Sequence, residues 1–240
     1  MHTEPHQIED LFTAKGGRFH ISSPAFLNKL QGIRAFIFDW DGVFNAAEKD
    51  AGGSSPFNEV DSMGLNLLRF AHWLKKGKLP LIAIISGEKN SASFALGKRE
   101  HLDACYYKIN HKPDALNHFC QEHKLNPLEV AFVFDDILDI SLAQVCGLRF
   151  HIQRPGASLF HSYVVHHQLA DYSTGSCSGQ YPVRECCELI MGLSGTFDLA
   201  VEERVRFSPA YTEYLKLRNE KETDFFTRSE SGIIRLAPEP

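Results

Sequence analysis

The sequence predicts an α/β fold built on a mainly parallel sheet with helices on both faces. Three observations carry this. Short apolar runs without period-two alternation recur at Ala35–Phe38, Leu81–Ile85 and Val130–Phe134, as expected of strands covered on both faces. Segments with helical spacing separate them, and strand–helix alternation builds parallel sheets with right-handed crossovers. Each of the three runs also ends in polar residues, and ligands in open α/β sheets bind just beyond the carboxyl ends of the strands.

Length and composition fit this. The chain has 240 residues, enough for one α/β domain with additions. Hydrophobic residues make up 43% and charged residues 23%, so a packed core is feasible. A net charge of -5 excludes a general binder of nucleic acid or membrane surfaces, so an anionic partner needs local cations. The six cysteines form no Cys-x-x-Cys pair and read as mostly buried thiols in a reducing compartment. No apolar run reaches the ~20 residues of a membrane helix, and the N-terminus lacks the apolar core of a signal peptide. These features predict a cytoplasmic protein.

Residues 1–30 are weakly patterned and read as an accessory arm. Ser23-Pro24 is the one local helix signal, a cap followed by proline in the first turn. The first strand follows and ends in Asp39-Trp40-Asp41-Gly42. The period of two puts both carboxylates on one side and Trp40 on the other. Such a pair needs a cation or a proton between its members. Residues 44–60 read as a β-hairpin around the turn cluster Asp50–Pro56. A helix is predicted from about Ser62 to Lys75, with Leu65, Leu68, Ala71 and Leu74 on one face and Gly77 as its stop.

The second strand ends at Ser86-Gly87, and a polar helix is expected over about Lys89–Lys98. A short strand near Ala104–Tyr107 leads to Lys112-Pro113, where the proline opens a helix to about His123. The third buried strand ends in Asp135-Asp136-Ile137-Leu138-Asp139, followed by a helix to Cys146 and a strand at Leu148–Ile152. Beyond Pro155 the pattern loosens. Asp171–Thr174 reads as a last short strand, Gly175–Gly179 as a loop, and Pro182–Met191, Thr196–Phe207 and Ser208–Asn219 as helices. The polar tail from Glu220 is expected to be loosely ordered. This divides the chain into an N-terminal extension (1–30), a central domain (31–194) and a helical C-terminal extension with a tail (195–240).

In a parallel sheet the three strand ends converge. They bring together carboxylates for a hard metal (Asp39, Asp41, Asp135, Asp136), the Ser86 hydroxyl and the Lys112 ammonium. That set suits phosphoryl transfer, which rests on charge neutralisation and in-line positioning. Receiver domains use similar groups in another order, with the acidic pair on the first strand and the lysine last. His166-His167 reads as a solvated surface pair, because neighbouring helical side chains diverge.

The order Asp39-x-Asp41-Gly42-Val43, Ile85-Ser86-Gly87, Lys112, Asp135-Asp136-x-x-Asp139 resembles the four motifs of the haloacid dehalogenase (HAD) superfamily, and more closely its small-capped sugar-phosphate phosphatases of the 3-deoxy-D-manno-octulosonate 8-phosphate type. The resemblance covers about residues 33–192. It implies a Rossmann-like fold with a hairpin in place of a cap domain, since no gap between the motifs holds a lid. It implies Asp39 as the nucleophile and Asp41 as the general acid and base. Mg²⁺ would bind the Asp39 carboxylate, the Asp41 carbonyl and Asp135, with Asp136 and Asp139 orienting that shell. Ser86 and the Gly87 N–H would hold phosphoryl oxygens, and Lys112 would balance charge. Gly42, Gly87 and Asp61 are the candidate phosphate and substrate contacts. The implied substrate is a small phosphorylated metabolite, and the implied assembly is a homotetramer whose neighbouring subunits cover each site.

The chain departs from the pattern at Phe134, Glu88, Ser62, Ser178, Tyr181 and Pro182. Phe134 stands where a glycine normally precedes the acidic pair, and Glu88 where an arginine is usual. The catalytic set is intact and the substrate-facing set is altered. A non-catalytic member of the fold, serving as a binding or oligomeric scaffold, is the alternative reading.

Overall fold

Strand β2 (Ala35–Phe38) is the axis of the sheet, with all four residues buried. It pairs in parallel with β3 (Leu81–Ile85) on one side and β5 (Val130–Phe134) on the other. Its side chains alternate between two cores. Phe36 and Phe38 enter one hydrophobic cluster, Ala35 and Ile37 the other. This is why the run reads as continuously apolar.

The computed structural model describes residues 4–230 and 232–236. Among these, nine strands form one sheet in the order β1-β7-β6-β5-β2-β3-β4-β8-β9. The remaining strands are β1 (Arg18–Phe19), β4 (Ala104–Tyr107), β6 (Leu148–Gln153), β7 (Tyr172–Cys177), β8 (Asp224–Ser229) and β9 (Gly232–Arg235). Pairings are parallel except at the two edges, where β1 meets β7 and β9 meets β8 antiparallel.

One face carries α1 (Pro5–Ala14), α2 (Ser23–Gly32), α3 (Glu59–Lys76), α4 (Ser91–Glu100), α8 (Pro182–Leu193), α9 (Phe197–Val205) and α10 (Pro209–Asn219). The other carries α5 (Lys112–His123), α6 (Ile140–Ala143) and α7 (Ser158–His166). The predicted fold class holds, with helices on both faces of a mainly parallel sheet.

Four local expectations are corrected. The hairpin over 44–60 does not form, and residues 39–58 contain no strand. The turn signal at Asp50 is real, since its carboxylate accepts from the N–H of Gly52 (2.8 Å) and Ser54 (2.9 Å). The arms fail because Ala47 takes a left-handed conformation (φ 61°), and because the loop is tied inward by a bond from Trp40 Nε1 to the Ser55 carbonyl (3.3 Å).

The N-terminal segment is no loose arm. A capping box at Glu4 starts α1, and Ser22 caps α2. Ile8 of α1 packs over Gly192 of α8, where a Cβ would meet it at 3.3 Å. The segment after Glu220 adds β8 and β9 to the sheet beyond β4, with Phe225 stacked on Phe94 (4.8 Å) and Phe226 on Tyr106 (4.9 Å). Two aromatic residues among polar neighbours anchor a strand that composition hides. Residues 237–240, the end of the expected tail, lie outside the described residues. Past Pro155 the chain forms α7, and β7 runs on through the expected loop to Cys177.

Candidate active site

The parallel register of β2, β3 and β5 brings their carboxyl ends to one edge. Asp39 follows β2 directly and continues the ladder, its N–H donating to the Val133 carbonyl (3.0 Å). Ser86 continues β3, with its N–H on the Tyr106 carbonyl (2.8 Å). Asp135 follows β5. Lys112 is the first residue of α5, which Pro113 opens.

These residues meet in a buried cluster. Carboxylate oxygens of Asp39, Asp135 and Asp139 all lie within 4.8 Å of one another. The Lys112 ammonium, itself buried, donates to both Asp39 and Asp139. Burial alone would lower the Lys112 pKa, but the two carboxylates outweigh this and hold it charged. Burial and the neighbouring Asp139 push Asp39 up against the pull of Lys112. Burial pushes Asp135 well up, and Asp39 and Asp139 push it further.

Three buried carboxylates face one ammonium, Lys112, and one guanidinium at the edge, Arg154, so carboxylates outnumber cations in the cluster. Both Asp135 oxygens are buried without a hydrogen-bond partner, although Arg154 Nη1 lies 3.1 Å from Oδ2. Buried carboxylates are otherwise hydrogen-bonded, so these orphaned oxygens fit a divalent cation. An oxygen-only donor set selects a hard metal such as Mg²⁺ or Mn²⁺.

The rest of the site is built by the loop after β2. Gly42 has φ +86° and lies against Asp135, where a Cβ would overlap the carboxylate. Asn45 locks this turn. Its Oδ1 accepts from the N–H of Gly42 (3.1 Å) and Ala47 (2.8 Å), and its amide donates to the Trp40 carbonyl (3.2 Å). The Asp41 side chain accepts from the Ser55 hydroxyl and pairs with Lys49 Nζ at 3.4 Å. A Cβ on Gly87 would meet nothing within 4 Å. Ser86 Oγ accepts from the Glu88 N–H at 3.3 Å.

Three sequence-predicted residues sit differently from expectation. Asp139 lies inside the carboxylate cluster rather than around it. Asp136 is half exposed, caps the turn at Ile137 and binds Arg154 (2.7 Å). Asp61 is fully buried, where it accepts from Asn58 Nδ2 (2.6 Å) and from the Arg184 N–H (2.8 Å) at the start of α8. It joins α3 to α8 and is part of the scaffold. Burial pushes its pKa up to about 6, against the pull of those bonds.

Phe134 is accommodated because its side chain points into the core on the α5–α7 side, stacked on Phe132 (5.7 Å). Asn45, Lys49, Ser55 and Arg154 were not legible as site residues. Their spacing from the motifs carries no periodic signal, and only the folded loops bring them in.

No protein-family model matches the chain. It is 25% identical over 182 residues to the 3-deoxy-D-manno-octulosonate 8-phosphate phosphatase KdsC of Salmonella typhimurium, spanning 74% of this chain and 89% of that protein. Among solved structures it is similar to one described as a HAD superfamily (subfamily III A) hydrolase from Legionella pneumophila, with a TM-score of 0.63, 26% identity and coverage of 76% and 95% of the two chains. The 3-deoxy-D-manno-octulosonate 8-phosphate phosphatase of Moraxella catarrhalis, solved with magnesium, phosphate and the sugar acid, superposes with a TM-score of 0.63 at 21% identity, over 76% of this chain and 98% of that one. That last likeness is one of fold. On its fold, its four ordered strand-end motifs and these relatives, the chain has the fold of the haloacid dehalogenase hydrolases and is similar to phosphatases of the 3-deoxy-D-manno-octulosonate 8-phosphate type.

Proposed function

We propose that this HAD-type phosphatase hydrolyses a small sugar-phosphate monoester with Mg²⁺, through an aspartyl-phosphate on Asp39. The carrying observation is the buried cluster of Asp39, Asp135, Asp139 and Lys112, with the two Asp135 oxygens orphaned. Asp39 and Asp135 would hold the metal with their side chains and Asp41 with its carbonyl, and Asp139 is near enough to share it. The metal supplies neutralisation of the phosphoryl charge beside the nucleophile.

An Asp39 carboxylate oxygen attacks phosphorus, and the bond from phosphorus to the ester oxygen breaks. Asp41 gives its proton to that oxygen, releasing the sugar hydroxyl. Asp41 then takes a proton from water, whose oxygen attacks the aspartyl-phosphate. Inorganic phosphate leaves and Asp39 is regenerated. Lys112 holds Asp39 in place and offsets charge on the transferring group. The Ser86 hydroxyl and the Gly87 N–H orient phosphoryl oxygens. Ser55 and Lys49 hold the Asp41 side chain.

The groups that select the sugar are this chain's own. Glu88 is exposed beside Ser86, and Asp61 is engaged by α8, so the octulosonate is one candidate within the sugar-phosphate class. The test is phosphate release from octulosonate 8-phosphate, nonulosonate 9-phosphates, hexose phosphates and nucleotides. It is run with Mg²⁺ and with chelator, for the wild type and Asp39→Asn. Metal-dependent turnover lost in the variant is expected. A folded, metal-binding protein with no turnover across the panel would favour the scaffold reading. The same reading carries a homotetramer as the working assembly, which a sizing measurement checks.

A further inference from the structure

Arg154 follows β6 and reaches back to the acidic pair at the end of β5. A single nitrogen, Nη1, lies 2.7 Å from Asp136 Oδ2 and 3.1 Å from Asp135 Oδ2. The two contacts differ in kind. The one to Asp136 is a hydrogen bond. The one to Asp135 lacks hydrogen-bond geometry and leaves both oxygens of that carboxylate without a partner. Burial differs as sharply, since the Asp135 side chain is 1% exposed and that of Asp136 50%. The guanidinium is therefore anchored on the outer carboxylate and leans on the inner one.

A guanidinium stays charged at any working pH, so pH does not remove it from the site. It lies against the carboxylate whose orphaned oxygens fit a divalent cation. Two cations sharing Asp135 oppose each other at short range, where screening by water is weak. A hydrogen-bonded alternative already exists on Asp136, toward solvent.

We propose that Arg154 is a resident counter-cation that competes with the metal for Asp135, and that metal loading moves it wholly onto Asp136. The inference rests on the reading of Asp39 and Asp135 as metal ligands. Arg154 neutralises Asp135 while the metal is away and lowers metal affinity. The free enzyme then holds its metal loosely, and an arriving phosphate, whose charge attracts both cations, tightens it.

The test is direct binding of Mn²⁺ to the full chain without substrate, read from the loss of the free-ion EPR signal. Arg154→Gln should bind roughly tenfold tighter than wild type, because one opposing charge is removed. Arg154→Lys keeps the charge and should stay within about twofold of wild type. Asp136→Asn should weaken binding more in the wild-type background than in Arg154→Gln, where no guanidinium remains to be displaced. Binding that is unchanged or weaker in Arg154→Gln, yet lost in Asp135→Asn, overturns the competition alone. Absence of Mn²⁺ binding in both wild type and Arg154→Gln overturns the metal reading and the competition with it.

Discussion

Gly42 packs its bare Cα against the Asp135 carboxylate, so closely that one added methyl group would overlap Oδ2 and the carboxyl carbon. The first motif and the last, far apart in the sequence, are thus fitted to each other at atomic contact. The glycine also has φ +86°, which other residues rarely adopt. Both facts come from the turn that carries the chain from β2 past the carboxylate cluster, and Asn45 holds that turn with three hydrogen bonds.

Gly42→Ala should therefore displace Asp135. We expect a stability loss of about 1–3 kcal/mol from the strained backbone. Phosphate release should fall by about 100-fold or more, the order of effect of a 1 Å misplacement in an active site. Gly87→Ala, at a position open for 4 Å around its Cβ, should leave the melting temperature unchanged. Thermal melts and turnover assays of the two variants check this contrast.

Ser55→Ala removes the hydroxyl that donates to Asp41. The Asp41 side chain would then be held by Lys49 alone, at 3.4 Å on a half-exposed loop. With Asp41 as the proposed acid, the Ser55 bond would orient that acid rather than the substrate, so kcat should fall about tenfold with KM little changed. A fall in kcat/KM that comes wholly from KM would place Ser55 in substrate binding instead.

His72 should make the fold sensitive to acid below about pH 6.5, the range in which an unfolded histidine takes up its proton. Burial, with Lys76 and Lys75 nearby, lowers the His72 pKa to about 4, and His72 packs edge-on against Phe36. Burial, with His161 and His20, lowers His151 to about 3, and His20 and His161 are lowered as well. A histidine with a lowered folded pKa binds its proton more readily in the unfolded chain. Its contribution is complete above the unfolded value near 6.5 and is lost as pH falls toward the folded value. For His72 the loss is roughly 2 kcal/mol by pH 5. Asp39, Asp61 and Asp135, all raised by burial, work in the opposite sense over the same range, so the histidine contribution is read as a difference between wild type and variant. Urea unfolding of wild type and His72→Leu at pH 7.5, 6 and 5 should show wild type losing about 2 kcal/mol relative to the variant by pH 5.

Phe226→Ala should cost about 3 kcal/mol, although it lies in a tail that reads as polar. Phe226 is 7% exposed and stacks on Tyr106 in the neighbouring strand. If residues after 220 were a dispensable extension, the variant would melt with wild type. Denaturant midpoints decide between these outcomes.

The architecture of the sheet was legible because buried parallel strands carry an unmistakable apolar signature. Phe36 and Ile37 face opposite cores, yet both must be apolar, and the same holds in β3 and β5. Site residues at the ends of those strands were legible for a related reason. Once β2, β3 and β5 are parallel neighbours, Asp39, Ser86 and Asp135 have nowhere else to converge. Elements at the sheet margins were not legible. β1 is two residues long, and β8 is a strand because Tyr106 and Phe94 supply aromatic partners for Phe226 and Phe225.

The sequence by itself determined the order of the strands' polar ends, the α/β alternation and the identity of the groups that cluster. These follow from local hydrophobic pattern and from the rule that side chains beyond parallel strands share one edge. Only the tertiary structure decided how those groups are held. It put Asp139 inside the cluster, withdrew Asp61 into the scaffold beneath α8, and brought Ser55, Lys49 and Arg154 to the carboxylates they touch. Loop residues have no period to announce them. Their places are set by contacts such as those of Asn45 and Asp50 with nearby backbone, which exist only once the chain has folded around β2.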